Sequence, residues 1–289
     1  MLPKSPPGSQ LKTLRAIMLT RLLLACAPLA ALILMAAPAI AADCGGRDVL
    51  GTARTLPVSV TATPRVGLKS FATTLPLKDK EVVLTFDDGP YPPTTRRVLA
   101  ALADQCVRAT FFLIGRNAAQ NADLVGKIAN DGHTIGHHSW SHRILGRISQ
   151  SAAEDEIMHG IAADEAALRS TTDSKTGADG KPATDPTRFF RFPGFVSTPK
   201  LLQSVNDRNM VVFGADLWVS DWNSMSPQAE LAQLVGRLKT ARKGIILMHD
   251  IKVSTAAMLP SFLRYLKDNG YHVVQVVPAT DIGAAPHPK

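Results

Sequence analysis

The chain has 289 residues, 45% of them hydrophobic, which is enough to bury one substantial core, and single α/β barrels commonly reach this length. Its formal charge of +8 would suit a nucleic-acid partner, but Lys4, Lys12, Arg15 and Arg21 all precede the first acidic residue. Beyond them no block of Lys and Arg forms a nucleic-acid footprint.

From Leu22 to Ala42 there is no charged residue, only an Ala/Leu-rich run interrupted by Pro28 and Pro38 and ending in Ala39-Ile40-Ala41-Ala42. A basic region, an apolar region and a small-residue step in that order predict a secretory signal peptide over residues 1–41. Cleavage after Ala41 removes four positive charges and no negative one, lowering +8 to +4. An uncleaved membrane anchor is the alternative, because about 20 apolar residues span a bilayer; Pro38 and the A-x-A step favour cleavage. Export places Cys44 and Cys106 where disulfides persist, and both a bridge from tail to domain and two buried thiols are compatible with that.

Residues 42–80 are rich in Thr, Pro and small residues and read as an extended lead-in, with the alternation at Val58-Ser59-Val60 predicting at most a short hairpin. From Glu81 onward, short apolar runs alternate with helical segments, the signature of βα units on a parallel sheet. Strands are predicted at Val82–Phe86, Ala109–Gly115, His133–Gly136, Phe189–Phe192, Met210–Ala215, Ile245–Met248 and His272–Val277. Helices are predicted at Pro93–Ala103, Ala118–Asn130, Ala152–Arg169, Pro227–Ala241 and Ala256–Asn269. Ser151-Ala152-Ala153-Glu154 reads as a capping box, Ser226-Pro227 as a cap followed by proline, and Asn269-Gly270 as a stop. Thr171 to Thr187 reads as an inserted surface loop, and residues 281–289 as a tail after a domain spanning 81–280.

Polar groups stand where apolar strands end: Asp87-Asp88, Arg191, Asp216 and His249-Asp250. Parallel strands in a barrel bring their carboxyl ends to one face, so these residues are expected to meet in one pocket. Paired carboxylates there can divide labour, one binding a metal and the other accepting a proton. His138 and His142 stand four apart, a spacing that lets both imidazoles reach one ion from a single helical turn. His133 and His137 read as hydrogen-bonded structural histidines.

Thr85-Phe86-Asp87-Asp88-Gly89-Pro90, His138-Ser139-Trp140-Ser141-His142, Arg191-Phe192-Pro193-Gly194-Phe195, Asp221-Trp222 and Ile246-Leu247-Met248-His249-Asp250 together resemble the NodB-homology polysaccharide deacetylases, carbohydrate esterase family 4. The resemblance runs from about Glu81 to Val277. It implies a distorted (β/α) barrel of about seven parallel strands and a metal-dependent hydrolase of N-acetyl groups on an extracytoplasmic glycan, peptidoglycan or an N-acetylglucosamine polymer. By the same resemblance, Asp87 is the catalytic base, Asp88, His138 and His142 hold a divalent metal, and Arg191 pairs with Asp87. His249 becomes the general acid, oriented by Asp221. Trp222 walls the groove, Leu247 lines the acetyl pocket, and a backbone N–H near Gly194 helps bind the oxyanion. Two departures stand out. The arginine motif lacks the family's second proline and its tyrosine, and Asp216 lies farther from Asp221 than the D-x-x-D-W spacing requires. Zinc is the expected metal, with cobalt or nickel as alternatives. The expected partner is an acetylated glycan, bound by a monomer. Two other readings stay open: an amidase or esterase acting on a small or O-acetylated molecule through the same metal site, and a glycan-binding module without catalysis.

Overall fold

The computed structural model describes residues 47–172 and 187–279. The predicted signal peptide, Cys44, the 281–289 tail and nearly all of the Thr171–Thr187 loop lie outside the described residues.

Among the described residues ten strands form one sheet in which every pairing is parallel. They are β1 (Thr52–Val58), β2 (Arg65–Val66), β3 (Glu81–Asp87), β4 (Thr110–Leu113), β5 (Thr134–His137), β6 (Phe189–Phe190), β7 (Val211–Phe213), β8 (Leu217–Trp218), β9 (Gly244–His249) and β10 (His272–Pro278). The helices are α1 (Pro92–Asp104), α2 (Gly115–Gln120), α3 (Ala122–Asn130), α4 (Gln150–Thr172), α5 (Pro199–Asn206), α6 (Pro227–Ala241) and α7 (Val253–Asp268). Strand neighbours run β8-β9-β3-β4-β5-β6-β7-β2, and β10 pairs with the start of β3 while carrying β1 on its other side. The expected α/β architecture with a parallel sheet is present. Among the described residues no hydrogen-bond ladder joins β7 to β8, so backbone pairing does not close the sheet.

The two-residue period of a strand sorts side chains between two cores. Val82, Leu84 and Phe86 pack outward with Val98 and Leu102 of α1, Leu234 and Leu238 of α6, and Phe262 and Leu263 of α7. Val83 points the other way, into a cluster with Phe112, Phe189, Val211, Phe213 and Ile245. Each fully buried side chain of this size contributes about 1.5–3 kcal/mol. Continuing the inner row two residues at a time leads from Val83 to Thr85 and Asp87, from Phe189 to Arg191, and from Ile245 to Leu247 and His249. The alternation that builds the core thus also aims the polar groups at the strand ends.

All seven predicted strands form, with no end shifted by more than two residues. The lead-in contributes two more, and they do not make a hairpin: β1 pairs with β10 and β2 with β7. The predicted 118–130 helix is two, divided at Asn121, whose φ of −137° is not helical. Helix α4 starts earlier than the capping box suggests, because Ser149 caps it by accepting from Ala152 N–H at 3.3 Å. Ser226 does cap α6, accepting from Ala229 N–H at 3.2 Å. Gly270 closes α7 with a φ of +68°, a left-handed turn that glycine adopts freely. Helix α5 is absent from the predicted elements, though its signal is present: Thr198 before Pro199 accepts from Leu201 N–H at 3.2 Å.

His133 and His137 are structural. His137, fully buried, lies between Asp164 Oδ2 at 2.8 Å and Thr187 Oγ1 at 2.6 Å. His133 Nδ1 accepts from Ala109 N–H at 3.1 Å, so it carries no proton there. Burial, reinforced by the charges of Arg108 and Lys127, pushes its pKa down to about 4. In the unfolded chain it takes a proton near pH 6.5, whereas the folded chain refuses one until about pH 4, so stability is present above 6.5 and is lost as pH falls through that window. The full loss is about 3 kcal/mol. Urea midpoints at pH 7 and pH 5 should therefore converge in a His133→Gln variant relative to the parent. Asp164 and Asp250, pushed up by burial to about 6 and about 7, bias stability the other way with pH and are common to both proteins.

Candidate metal and catalytic centre

The site lies where β3, β9 and the segment after β5 end. Asp88 leaves β3 with a φ of +75°, a left-handed conformation that aspartate tolerates better than most residues. Asn117 Nδ2 secures the turn by donating to the Asp88 carbonyl at 2.8 Å. Gly89 follows, and a Cβ there would stand 2.1 Å from Asp250 Oδ2, so any side chain would displace the turn. Asp250 itself is not part of an open site. It is buried, accepts from Thr95 Oγ1 at 2.5 Å, and clamps the end of β9 to the first turn of α1.

His138 and His142 do not share a helical turn. They flank a loop in which Ser139 and His142 both have a φ of +63°. The loop is pinned to α4: Glu156 accepts from Ser141 N–H at 2.8 Å and from Ser141 Oγ at 2.6 Å, and the Glu156 carbonyl accepts from Trp140 N–H at 2.9 Å. A Cβ at Gly160 would fall 2.5 Å from the Ser139 carbonyl carbon, so the close approach of α4 needs a glycine. Sequence reasoning misses Glu156 and Gly160, because neither lies in a recognisable motif.

In this loop His138 Nε2 comes within 3.5 Å of Asp88 Oδ1 and His142 Nε2 within 3.3 Å. The donor atoms of Asp88, His138 and His142 all lie within 4.8 Å of one another. His138 Nδ1 is 2.7 Å from the Arg191 carbonyl; a carbonyl only accepts, so Nδ1 carries the hydrogen and Nε2 keeps its lone pair toward Asp88. Burial holds the His138 imidazole below its ordinary pKa, against the pull of Asp87 and Asp88. Asp88 Oδ1 is buried with no hydrogen-bond partner. A shielded carboxylate oxygen facing two imidazole nitrogens is the donor set of a three-ligand divalent metal site with coordination left over, so the residues fit a catalytic zinc-type ion.

On one side stands Asp87. Arg191, fully buried, donates from Nη1 to Asp87 Oδ1 at 2.7 Å and to Thr85 Oγ1 at 2.9 Å, and from Nη2 to the Gly214 carbonyl at 2.8 Å. Its guanidinium also stacks on Phe112 at 4.2 Å. The other carboxylate oxygen of Asp87 faces His138 Nε2 at 3.8 Å.

On the other side His249 Nε2 lies 4.0 Å from Asp88 Oδ2. Its Nδ1 meets Asp221 Oδ1 at 2.7 Å, and Asp221 Oδ2 accepts from His249 N–H and from Thr255 Oγ1, each at 2.8 Å. Burial disfavours the His249 cation, but the Asp221 hydrogen bond and charge, with Asp88 and Asp87 behind them, outweigh it and raise the pKa to about 9. A cation bound at Asp88 would oppose that rise.

Trp222 is 51% exposed and meets His249 edge-on with centroids 6.1 Å apart. It opens onto a groove of ≈ 530 Å³ shared with Lys252 and Val253. Leu247 is buried beside Thr85 and Trp218 in the sheet register. Gly194 sits in a short 3-10 turn just after Arg191 with a φ of +60°. Asp216, in contrast, is absent from the cluster. Its carboxylate accepts from Leu68 N–H, Thr74 Oγ1 and Ile245 N–H at 2.7–2.8 Å, tying the lead-in to the start of β9.

Residues 74–212 match the family model described as polysaccharide deacetylase. A peptidoglycan-N-acetylglucosamine deacetylase of Bacillus cereus is 29% identical over 211 residues, covering 70% of this chain and 89% of that protein. The peptidoglycan-N-acetylglucosamine deacetylase PgdA of Listeria monocytogenes is 31% identical over 202 residues, 68% of this chain; the chain spans only 38% of that relative. Among solved structures, a peptidoglycan deacetylase of Bdellovibrio bacteriovorus superposes with a TM-score of 0.66 at 28% identity, covering 78% of this chain and 59% of that one.

Proposed function

Through residues 74–212 the chain belongs to the polysaccharide deacetylase family, and we propose that it hydrolyses N-acetyl groups on peptidoglycan or another N-acetylglucosamine polymer outside the cytoplasm, releasing acetate. One arrangement carries this reading: a three-donor cluster of Asp88, His138 and His142 with a buried carboxylate on one flank and an aspartate-held imidazole on the other. The activities for which the relatives are named point to the same substrate class.

An amide is a weak electrophile with a poor leaving group, so its hydrolysis needs an activated water, charge stabilisation on the carbonyl oxygen and a proton for the departing amine. A divalent ion held by Asp88, His138 and His142, zinc in the first instance and cobalt or nickel otherwise, supplies polarisation of the carbonyl and a water of lowered pKa. Asp87 takes the proton from the attacking water. Arg191 binds Asp87 through Oδ1 and so holds the side chain in place and leaves Oδ2 for that work. His249 keeps its Nδ1 hydrogen on Asp221 and gives the Nε2 proton to the leaving nitrogen. A backbone N–H near Gly194 assists the oxyanion, Leu247 lines the acetyl pocket, and Trp222 offers an exposed face on which a sugar ring can pack.

The N-terminal segment acts as a cleaved signal peptide in this reading, delivering a monomer to the periplasm or the exterior, where Cys44 and Cys106 form a disulfide. The test is acetate release from N-acetylglucosamine oligomers and from peptidoglycan, before and after chelation. Acetate should appear with at least one substrate, vanish with chelator and return on adding zinc. Release from O-acetylated substrates alone would replace the reading with an esterase, and binding of the glycans without release would replace it with a non-catalytic module.

A further inference from the structure

Behind Asp221 lies a carboxyl group that the mechanism above leaves unused. Glu230, in the first turn of α6, has no exposed surface. Its side chain lies against the hydroxyls of Ser254 and Thr255 at the start of α7, with Asp221 and Lys252 as the charged neighbours. Neither of its oxygens meets a partner in good hydrogen-bonding geometry. A fully buried carboxylate with neither oxygen satisfied is among the most costly groups a protein can hold, and the cheapest relief is a proton.

The hydrogens around it can be counted. Asp221 Oδ1 faces the Nδ1 hydrogen of His249 at 2.7 Å, and Asp221 Oδ2 accepts the single hydroxyl hydrogen of Thr255 at 2.8 Å. Thr255 then has only lone pairs to turn toward Glu230, and the Ser254 hydroxyl has one hydrogen to offer, enough for one of the two Glu230 oxygens and not for the one that faces Thr255. An ionised Glu230 would set acceptor against acceptor there and place a second negative charge beside Asp221. A protonated Glu230 meets the Thr255 lone pair with a donor. Burial is the largest influence on the Glu230 pKa and raises it, and Asp221 adds to that rise. The Ser254 hydroxyl, a stronger influence than Asp221, and the weaker Thr255 and Lys252 oppose it, and the balance stays upward.

We infer that Glu230 is a positioning residue, held as a neutral acid, whose carboxyl hydrogen fixes the Thr255 hydroxyl so that Thr255 in turn fixes Asp221 against His249. It touches no reacting atom and acts only through Thr255. The inference rests on the proposed role of His249 for its kinetic consequence but not for its structural one.

Four proteins test it: the parent, Glu230→Gln, Glu230→Leu and Thr255→Val, with the double variant Glu230→Leu/Thr255→Val closing the cycle. Glutamine keeps a neutral donor of the same shape and should hold kcat for acetate release within about twofold of the parent. Leucine and valine should each lower kcat by about tenfold with KM little changed, a loss of roughly 1.4 kcal/mol. The double variant should lose no more than Thr255→Val alone, because the two residues act in series. Additive losses, or a Glu230→Gln variant as impaired as Glu230→Leu, would overturn the inference. If the parent releases no acetate, the downfield proton resonance of the His249 Nδ1–H···Asp221 hydrogen bond separates the same outcomes. It should persist in Glu230→Gln and broaden or shift in Glu230→Leu and Thr255→Val, and an unmoved resonance in Glu230→Leu refutes the role. Should Glu230→Leu fail to fold, Thr255→Val and Glu230→Gln decide by that resonance: it must be disturbed in the first and retained in the second.

Discussion

Asp87→Asn should lower acetate release by roughly 10²–10⁴-fold, the range that a positioned general base contributes, with KM nearly unchanged. The substitution is close to isosteric. The asparagine oxygen can still accept from Arg191 Nη1, which now meets Asp87 Oδ1 at 2.7 Å, so the side chain stays in place while its capacity to take a proton from water disappears. Binding of divalent metal should survive, because Asp88, His138 and His142 supply the donor cluster without it. Rates must be compared per folded molecule, since an amide leaves the buried Arg191 without a counter-charge. A variant that binds metal, stays folded and matches the parent's rate would remove Asp87 from the chemistry. A variant that loses metal as well would show that Asp87, 3.8 Å from His138 Nε2, shapes the ligand set rather than acting on water.

Much of this site is legible in the sequence because strand alternation is a rigid rule. Once β3 is placed, Val83 facing the inner core puts Asp87 on the same side, and the same count places Arg191 after Phe189 and His249 after Ile245. Polar groups at the strand ends therefore point to one face on the strength of the pattern alone. The expectation fails for Asp216 because it stands at the opening of β8 rather than at the end of β7. There it serves the backbone N–H groups of Leu68 and Ile245, a long-range pairing with no local signature. The His138–His142 spacing suggests one helical turn, yet the chain reaches the same result with two left-handed residues and a brace from Glu156. Spacing constrains how far apart two side chains can be, not the backbone that joins them. Glu230 and Thr255 are illegible for a related reason: each is an ordinary helical residue until the packing of α6 on α7 brings them behind Asp221.

Arg191→Leu should be the most destabilising substitution in the centre. The guanidinium is fully buried and satisfies Asp87, Thr85 and the Phe213 and Gly214 carbonyls, so leucine of lesser reach would leave one carboxylate and two carbonyls without their donor. Removing one member of a buried ion pair costs about 3–5 kcal/mol, and at about 2–4 °C per kcal/mol for a domain of this size the melting temperature should fall by roughly 10 °C. Lysine should rescue little, because a single ammonium cannot reach partners arranged around a planar fork. Adding Asp87→Asn to Arg191→Leu should restore part of the lost stability, since the penalty lies largely in the unpaired Asp87 charge and the double variant no longer carries it. Thermal melts of the two single variants and the double variant check this directly. If the double variant is as unstable as the sum of the singles predicts, the pair contributes through separate contacts, and the view that Arg191 exists to hold a buried Asp87 charge must be given up.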